Sequence, residues 1–526
     1  MTSTFMGLET AKRSLFANTA AMNTTGHNIA NANTPGYSRQ VVGLVASRPI
    51  EAPGLFNKST APGQLGTGVE YNYIKRVRES FLDDQYWDAN KSLGEWEVQA
   101  DTLSKLEKVF NEPSDSGLST VLNNFWNSWS SLSKDPENVT SRKIVRENAL
   151  ALVDAFNETS KKLTDMQDDL TQRVSVTADH INTLTSQIAQ LNDEIMRIEG
   201  QRDNANDLRD QRDLIIDELS KLTNVSVTEQ SDGYTVVAGG LQLVSGNNSV
   251  QTTAADWEGA YSANTLISGD VFGTIKSRDV LVKNYLDQLN DMANTITNGE
   301  ITVTIPAGSV LPDNTVLDGV TYTGANRTLT SDLTVTVKGL NELHQLGYIF
   351  GTGTPPATAP AFFVSQDGGP ITAASIGLNP VIQNDPSQIA SSLRTITLTP
   401  PAVGEETVTG NNTIALLISG LKSVPFKFNG TSSNNGIATG TVDDYYRSII
   451  GQLGVESEEA TRQQTNNQLL VDQVDSRRQS VSGVSTDEEM TNLIKFQHAY
   501  AAASRFMTTV DQNLDKVINS MGMVGR

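Results

Sequence analysis

The residue types that most often carry chemistry are sparse and scattered in this sequence. No HExxH or other compact metal-ligand spacing joins the four histidines, which are His27, His180, His344 and His498. One acidic run, Asp487, Glu488 and Glu489, could supply paired carboxylates, but the helix dipole alone favours acids in a first helical turn. We therefore predict no metal site, no cofactor and no catalytic carboxylate pair.

Two further motifs suggest ligand binding at first sight. The glycines of PGQLGTGVE, Gly63, Gly66 and Gly68, resemble a phosphate loop, but no Lys-Ser/Thr follows them and the spacing matches neither nucleotide fingerprint. The aromatic residues of FWNSW, Phe125, Trp126 and Trp129, could form a binding platform, although packing in a core is the favoured interpretation. The sequence thus predicts a protein that is not an enzyme.

A strict heptad occupies the last part of the chain. Its apolar positions alternate three and four residues apart and fall on one helical face. This C-terminal seam consists of Leu493, Phe496, Tyr500, Ala503, Met507, Val510, Leu514, Val517 and Met521. An isolated helix leaves such a seam in water and is only marginally stable. The pattern predicts that the terminal helix needs partner helices.

A second apolar stripe lies at the opposite end of the chain. It repeats every seven residues and forms an N-terminal seam of Leu8, Leu15, Met22 and Ile29, and Phe5, Ala11 and Phe16 broaden the stripe. Both seams are compatible with ordinary helices that face a core. Their position at the two ends of the chain favours helix association instead.

Local signals define where the two terminal helices begin and end. Thr486 followed by Glu489 predicts a capping box, with the C-terminal helix starting near Asp487. The N-terminal helix is predicted to stop in NIANANTPGYSRQ, where Pro35 and Gly36 suit the second and third positions of a turn.

Composition restricts the class of protein. The chain has 526 residues, 37% of them hydrophobic, which is enough for several cores. It lacks an apolar run long enough for a membrane span and a typical cleavable secretory signal at its start. The formal net charge of -21 argues against binding to nucleic acid. The absence of cysteine excludes disulfides and thiol chemistry.

Pattern and composition predict an α+β multidomain protein with a discontinuous long-helix coiled-coil core. Residues 1–45 and 485–526 are assigned to terminal coiled-coil segments. Residues 46–298 and 400–484 are assigned to a helical core domain with a β-hairpin around Asp232-Gly233. Residues 299–399 have little charge, many Thr and Gly residues and alternating apolar positions, so we predict a β-rich inserted outer domain there.

Four motifs carry a family resemblance. GHNIANANTPGYSRQ resembles the N-terminal signature of the bacterial flagellar axial proteins, and STDEEMTNLIKFQHAYAAASRFM resembles their C-terminal signature. The runs KDPENVTSRKIVRENALAL and NDLRDQRDLIIDELS look like those of the hook–filament junction proteins within that family. These motifs occur in the expected order through most of the helical core.

The resemblance implies a structural role and a set of partners. The terminal helices would pair as coaxial coiled coils in an inner tube, and the turn Asn33, Pro35, Gly36 and Tyr37 would lead the chain to an outer layer. The implied partners are the hook protein, a second junction protein (hook-associated protein 3) and further copies in a ring. A cytoplasmic export chaperone would bind the C-terminal helix before type III export to the extracellular flagellum.

Two alternatives belong to other functional classes. A secreted coiled-coil effector or translocator of a type III system could share acidic composition and amphipathic ends, although the paired GYSRQ and DEEMTNLI signatures disfavour it. An enzyme could lie within residues 299–399, but that range has one histidine, no cysteine, few acids and no nucleophile motif.

Overall fold

A computed structural model describes residues 5–49, 66–112, 114, 117–350, 356–398, 404–428 and 437–520. The described residues are 62% helical and carry several small antiparallel sheets, so the predicted α+β multidomain class is confirmed. Its residues group into two compact units.

Four of the described helices exceed thirty residues. In chain order they are α1 (Met6–Ala30), α2 (Ser80–Phe110), α3 (Leu118–Lys134), α4 (Val139–Glu199), α5 (Asn206–Leu222), α6 (Ala254–Ser262), α7 (Asp270–Lys276), α8 (Lys283–Asn298), α9 (Gly339–Gln345), α10 (Pro380–Asn384), α11 (Thr413–Gly420), α12 (Val442–Ser482) and α13 (Thr486–Ser520). A π-helical turn, Ser277–Val282, joins α7 to α8.

The strands are short and pair only in antiparallel fashion in the described part of the chain. They are β1 (Gln40–Ala46), β2 (Val69–Arg76), β3 (Val225–Gln230), β4 (Gly233–Ala238), β5 (Leu241–Ser245), β6 (Asn248–Ser249), β7 (Glu300–Ile305), β8 (Thr315–Leu317), β9 (Val320–Tyr322), β10 (Leu333–Lys338), β11 (Phe363–Ser365), β12 (Ile376–Leu378), β13 (Thr395–Leu398), β14 (Gly404–Thr407), β15 (Phe426–Lys427) and β16 (Thr439–Gly440).

Unit 1 contains the described residues of Met1–Trp96, Ser175–Phe272 and Gln464–Arg526. Here α1 packs against α13 and against the two-stranded ribbon of β1 and β2, and β3 to β6 form a meander. The predicted hairpin is confirmed, because β3 pairs with β4 and Gly233 supplies a positive φ of 119° at the turn. Asn192 of α4 fixes the meander by donating to the carbonyl of Gly246 at 2.7 Å.

Unit 2 contains the described residues of Glu97–Val174 and Gly273–Gln463. The alternation predicted near residue 300 is confirmed as a strand, since β7 pairs with β10 and buries every second residue. Ile301 and Val303 face Val337 and Val335 across this pair, and all four are buried. A two-residue period thus places one face of the hairpin in the unit's core.

The second half of the range 299–399 lies in the core of unit 2. Trp129 of α3 packs against Phe362, with ring centroids 5.4 Å apart, and against His344 at 6.2 Å. Phe125 packs against Phe363 at 5.9 Å. The prediction that FWNSW packs in a core is therefore confirmed. A free-standing inserted domain over 299–399 stays a prediction, and the residues after α9 do not support it because they share these aromatic contacts with α3.

Candidate assembly interface

The terminal helices α1 and α13 lie side by side and run in opposite directions. Near one end, Gly7 sits directly against Val510, so that an added Cβ would lie 3.1 Å from the valine Cγ2. Near the other end, the amide of Asn28 donates to the Glu489 carboxylate at 3.0 Å. The two signatures at the ends of the sequence thus meet within one chain.

The C-terminal seam is only partly covered by this pairing. Ala503 is buried, Tyr500 and Val517 are 40% and 48% exposed, and the other described members are half-buried. The half-buried members are Leu493, Phe496, Met507, Val510 and Leu514. Met521 lies outside the described residues. Much of the seam therefore remains available to a further helix.

The N-terminal seam is half-buried at each of its members, Leu8, Leu15, Met22 and Ile29. The fully buried apolar residues of α1 are small: Ala11, Ala17 and Ala21. Small side chains let helix backbones approach closely, so the most deeply buried face is not the one that the large residues mark. The heptad located the helix correctly, and the predicted stripe included Ala11 but not Ala17 or Ala21.

Large apolar side chains on both helices remain in solvent. Phe16 of α1 is 61% exposed, and Ile494 and Phe506 of α13 are 51% and 48% exposed. Monomeric soluble proteins rarely expose large contiguous apolar patches, and such patches mark interaction sites. Phe16, Ile494 and Phe506 are thus large apolar side chains that the pairing of α1 with α13 leaves largely uncovered.

A tight turn follows α1, as the sequence predicts. The Tyr37 amide donates to the Thr34 carbonyl at 3.2 Å, and Gly36 has a φ of +77°. Pro35 and Gly36 occupy the second and third positions of the turn, where fixed negative φ and positive φ are required. Asn33 is exposed, and Gly36 packs against Leu214 of α5. This packing leaves little room for a side chain at position 36.

Residues just after the turn bond to three separate helices. The Tyr37 hydroxyl donates to Asn28 of α1 at 2.8 Å, and the Ser38 amide donates to Asp210 of α5 at 2.8 Å. Arg39 donates through Nε to Glu489 of α13 at 2.8 Å. Burial and the nearby carboxylates raise the pKa of Tyr37 well above its usual value, so the phenol stays protonated and can donate. We call these residues, Asn28, Tyr37, Ser38, Arg39, Asp210 and Glu489, the signature cluster.

The predicted capping box between Thr486 and Glu489 is wrong. Helix α13 begins at Thr486, close to the predicted start, but the Glu488 amide donates to the hydroxyl of Ser485 at 3.5 Å, and the Glu489 amide donates to the Ser485 carbonyl at 3.0 Å. The Glu489 side chain is 3% exposed and pairs with Arg39 instead of capping Thr486. Sequence spacing could not reveal a partner that is 450 residues away.

A buried ladder of Arg and Asp continues from the signature cluster. Arg76 of β2 donates to Asp210 at 2.8 Å and also pairs with Asp213. Arg478 of α12 donates to Asp217 at 2.7 Å. Burial raises the pKa of Asp217, and the adjacent Arg478 opposes that rise. Because the arginines and aspartates of this ladder are buried together, removing one of them leaves a buried charge without its partner.

In the described part of the chain, the four histidines lie apart from one another. His344 is buried among aromatic rings, whereas His27 and His180 are exposed and lie beside Asp207 and Glu218. His498 is exposed on α13. Gly63 lies outside the described residues. Within the described ranges no group of His, Asp or Glu could hold a metal ion.

Comparison with known families agrees with this arrangement. Residues 103–300 match the flagellar hook-associated protein FlgK helical domain. Residues 8–37 match the family described as flagella basal body rod protein, and residues 476–521 match the flagellar basal body rod FlgEFG protein C-terminal family. The two terminal matches cover the helices that pair in unit 1.

Full-length relatives decide the family. Flagellar hook-associated protein 1 of Bacillus subtilis (strain 168) is 36% identical over 546 aligned residues, which cover 100% of both chains. The chain belongs to the flagellar hook-associated protein 1 family. The Escherichia coli (strain K12) member is 26% identical over 97% of this chain and 99% of its own. The Salmonella typhimurium member is 26% identical over 97% of this chain and 98% of its own.

Membership in the flagellar hook-associated protein 1 family confirms the predicted function class, a structural protein of the flagellar hook–filament junction. It also places the chain in the flagellum, in association with other axial proteins. The flagellar hook junction protein FlgK from Burkholderia pseudomallei has 16% identity and a TM-score of 0.48, over 76% of this chain and 100% of its own. Among the described helices, none has the length and apolarity of a membrane span.

Proposed function

We propose that this chain is a ring subunit between the flagellar hook and the filament, and that it assembles through α1 and α13. The observation that carries the proposal is the partly covered apolar surface of this antiparallel pair. Fully burying one large apolar side chain stabilises an interface by roughly 1.5–3 kcal/mol. The same surface repeated around a ring would bury many such side chains.

The proposed assembly interface comprises the two seams on the paired helices. Its residues are Leu8, Leu15, Met22, Ile29, Leu493, Phe496, Tyr500, Ala503, Met507, Val510, Leu514, Val517 and Met521. The turn at Asn33, Pro35, Gly36 and Tyr37 would lead from the inner tube to an outer layer. The packing of Gly36 on Leu214 supports a fixed direction for this turn.

The signature cluster gives the interface a rigid base. Arg39 and Asn28 hold the first turn of α13, while the Ser38 amide is held by α5. Charge-assisted bonds that are shielded from water fix geometry more firmly than exposed ones. We propose that the cluster sets the angle at which the helix pair leaves the rest of unit 1.

The remaining partners follow from the family role. We propose contacts with the hook protein, with hook-associated protein 3 and with further copies of this chain. We also propose delivery by the flagellar type III export apparatus and binding of a cytoplasmic chaperone to α13. Neither nucleic acid binding, membrane insertion nor catalysis is part of this role. The division into terminal segments 1–45 and 485–526, core 46–298 and 400–484, and insertion 299–399 remains a proposal.

The proposal is tested by deleting the gene in its own host. The mutant cells are expected to build hooks, to lack filaments and to release unpolymerised flagellin into the medium. Restoring the wild-type gene should restore filaments. Normal, attached filaments in the deletion strain would contradict the proposed position in the junction.

A further inference from the structure

A basic groove runs between α2 and α4 in unit 2. It encloses about 370 Å³ and has an apolar floor formed by Val109, Met166 and Leu170. Four cationic side chains and two carboxylates line it; these are Lys105, Lys108, Lys162, Arg173, Asp165 and Asp169. The lining therefore has an excess of positive charge on a chain whose formal net charge is -21.

The lysines of this groove can accept new anionic partners. Lys105 pairs with Asp101 at 2.7 Å and Lys162 pairs with Glu158 at 2.7 Å, both one helical turn away. Each of these pairs is about half exposed, and such pairs are weak. An incoming carboxylate can share the lysines without breaking a buried interaction. The groove thus suits a ligand with acidic groups around an apolar tip.

One exposed face of α12, also in unit 2, has this chemistry. Val455 is 66% exposed, and Glu458 and Glu459 are exposed about one turn further along. Arg462 follows on the same side of the helix and is exposed as well. The carboxylates of Glu458 and Glu459 therefore lie next to Val455, and Arg462 lies one turn beyond them.

Two glycines beside Val455 are unexplained within the chain. A Cβ at Gly451 or Gly454 would meet nothing within 4 Å. Glycine lowers the stability of a helix interior relative to alanine, so its presence needs a reason. Close approach of another backbone to this face is a sufficient reason. The acidic residues show what charge the approaching surface needs to have.

We propose that the Val455 face of one copy docks into the basic groove of a second copy. The inference rests on the proposed ring assembly, because Val455 is exposed in the single chain and needs a neighbour to be covered. The contact joins two different surfaces of the same unit. Such heterologous contacts are the kind that generate rings and helical arrays. Val455 meets the apolar floor, and Glu458 and Glu459 meet Lys105 and Lys108.

The absence of cysteine allows a direct test. Lys108→Cys and Val455→Cys subunits with different tags are co-expressed, and isolated hook–filament junctions are treated with a short bismaleimide. The expected result is a cross-linked dimer that carries both tags. Either variant alone should give none. Lys108→Cys combined with Val316→Cys is the matched control, because Val316 is 56% exposed on β8 of the same unit.

The outcomes separate this inference from the proposed function. Tagged subunits present in the junction without the mixed dimer would overturn the docking contact alone. Tagged wild-type subunits missing from the junction would overturn the proposed function itself. If the cysteine variants fail to incorporate, a charge exchange decides the question.

The charge exchange uses Lys108→Glu, Glu459→Lys and the double variant. Each single variant should incorporate about fivefold less than the wild type because it places like charges opposite each other, and the double variant should recover most of the loss. Circular dichroism of the purified proteins checks that each variant is folded. Equal losses in folded single and double variants would overturn the contact.

Discussion

Replacing Glu489 by Gln should loosen the start of α13 without unfolding the protein. The carboxylate accepts from Asn28 at 3.0 Å and from Arg39 Nε and Nη2, each at 2.8 Å. Breaking a buried ion pair costs about 3–5 kcal/mol, but Arg39 is 25% exposed and can be partly rehydrated. Gln also keeps one acceptor oxygen. We therefore expect a loss of about 2 kcal/mol, or roughly thirtyfold in the local opening equilibrium.

Hydrogen exchange measured by mass spectrometry gives this local quantity. Peptides from the first turns of α13 and from the GYSRQ segment should lose protection, whereas peptides from unit 2 should not. Glu488→Gln is the matched control, because Glu488 is 65% exposed and lies 3.3 Å from Arg39, so its loss should stay below about 0.5 kcal/mol. Equal effects of the two substitutions would refute the structural role of the signature cluster.

Two further predictions concern unit 2. Burial lowers the pKa of His344 from 6.5 to about 4, so the contribution of the neutral ring to stability is complete above pH 6.5 and is lost as the pH falls to about 4. In urea unfolding, the free energy of unfolding of the wild type should fall by roughly 3 kcal/mol between pH 6.5 and about 4. His344→Gln should lack this pH dependence, and His498→Gln, at an exposed position, should retain it. Equal profiles for all three proteins would contradict the prediction. Excising 299–399 should expose Trp129, which would shift its fluorescence to the red and make α3 susceptible to proteolysis. The control Val316→Ala should change neither property. Retained protection of α3 would show that the shared aromatic core is not essential.

The sequence predicts features that depend on neighbours in the chain. Pro35 and Gly36 identify the turn because each has a restricted or unusual φ, and the terminal heptads identify α1 and α13. The strand at Ile301 and Val303 is likewise visible as a two-residue period. In each case the physical cause lies within a few residues.

Features that depend on distant partners could not be predicted in the same way. Glu489 has the spacing of a cap but pairs with Arg39, which is 450 residues away. The Asp residues of α5 form a charged face in the sequence, and their arginine partners come from β2 and α12. The buried stripe of α1 was predicted only in part, at Ala11, because hydrophobic periodicity gives most weight to large residues, whereas close packing here also selects Ala17 and Ala21. His344 gave no sequence signal because its aromatic shell comes from separate segments.

The central claim is that the C-terminal seam is buried when the subunit assembles, and Leu514→Asp tests it most directly. Leu514 is half-buried in the single chain, and neighbouring Asn513 is exposed, so Asn513→Asp introduces the same charge beside the seam. A carboxylate buried without a partner costs several kcal/mol, so Leu514→Asp should remain folded as a purified protein but fail to enter junctions. The measurement is the number of subunits incorporated per isolated hook, with thermal melting as the folding check. We predict near-normal incorporation for Asn513→Asp and none for Leu514→Asp; equal incorporation of the two would contradict burial of the seam.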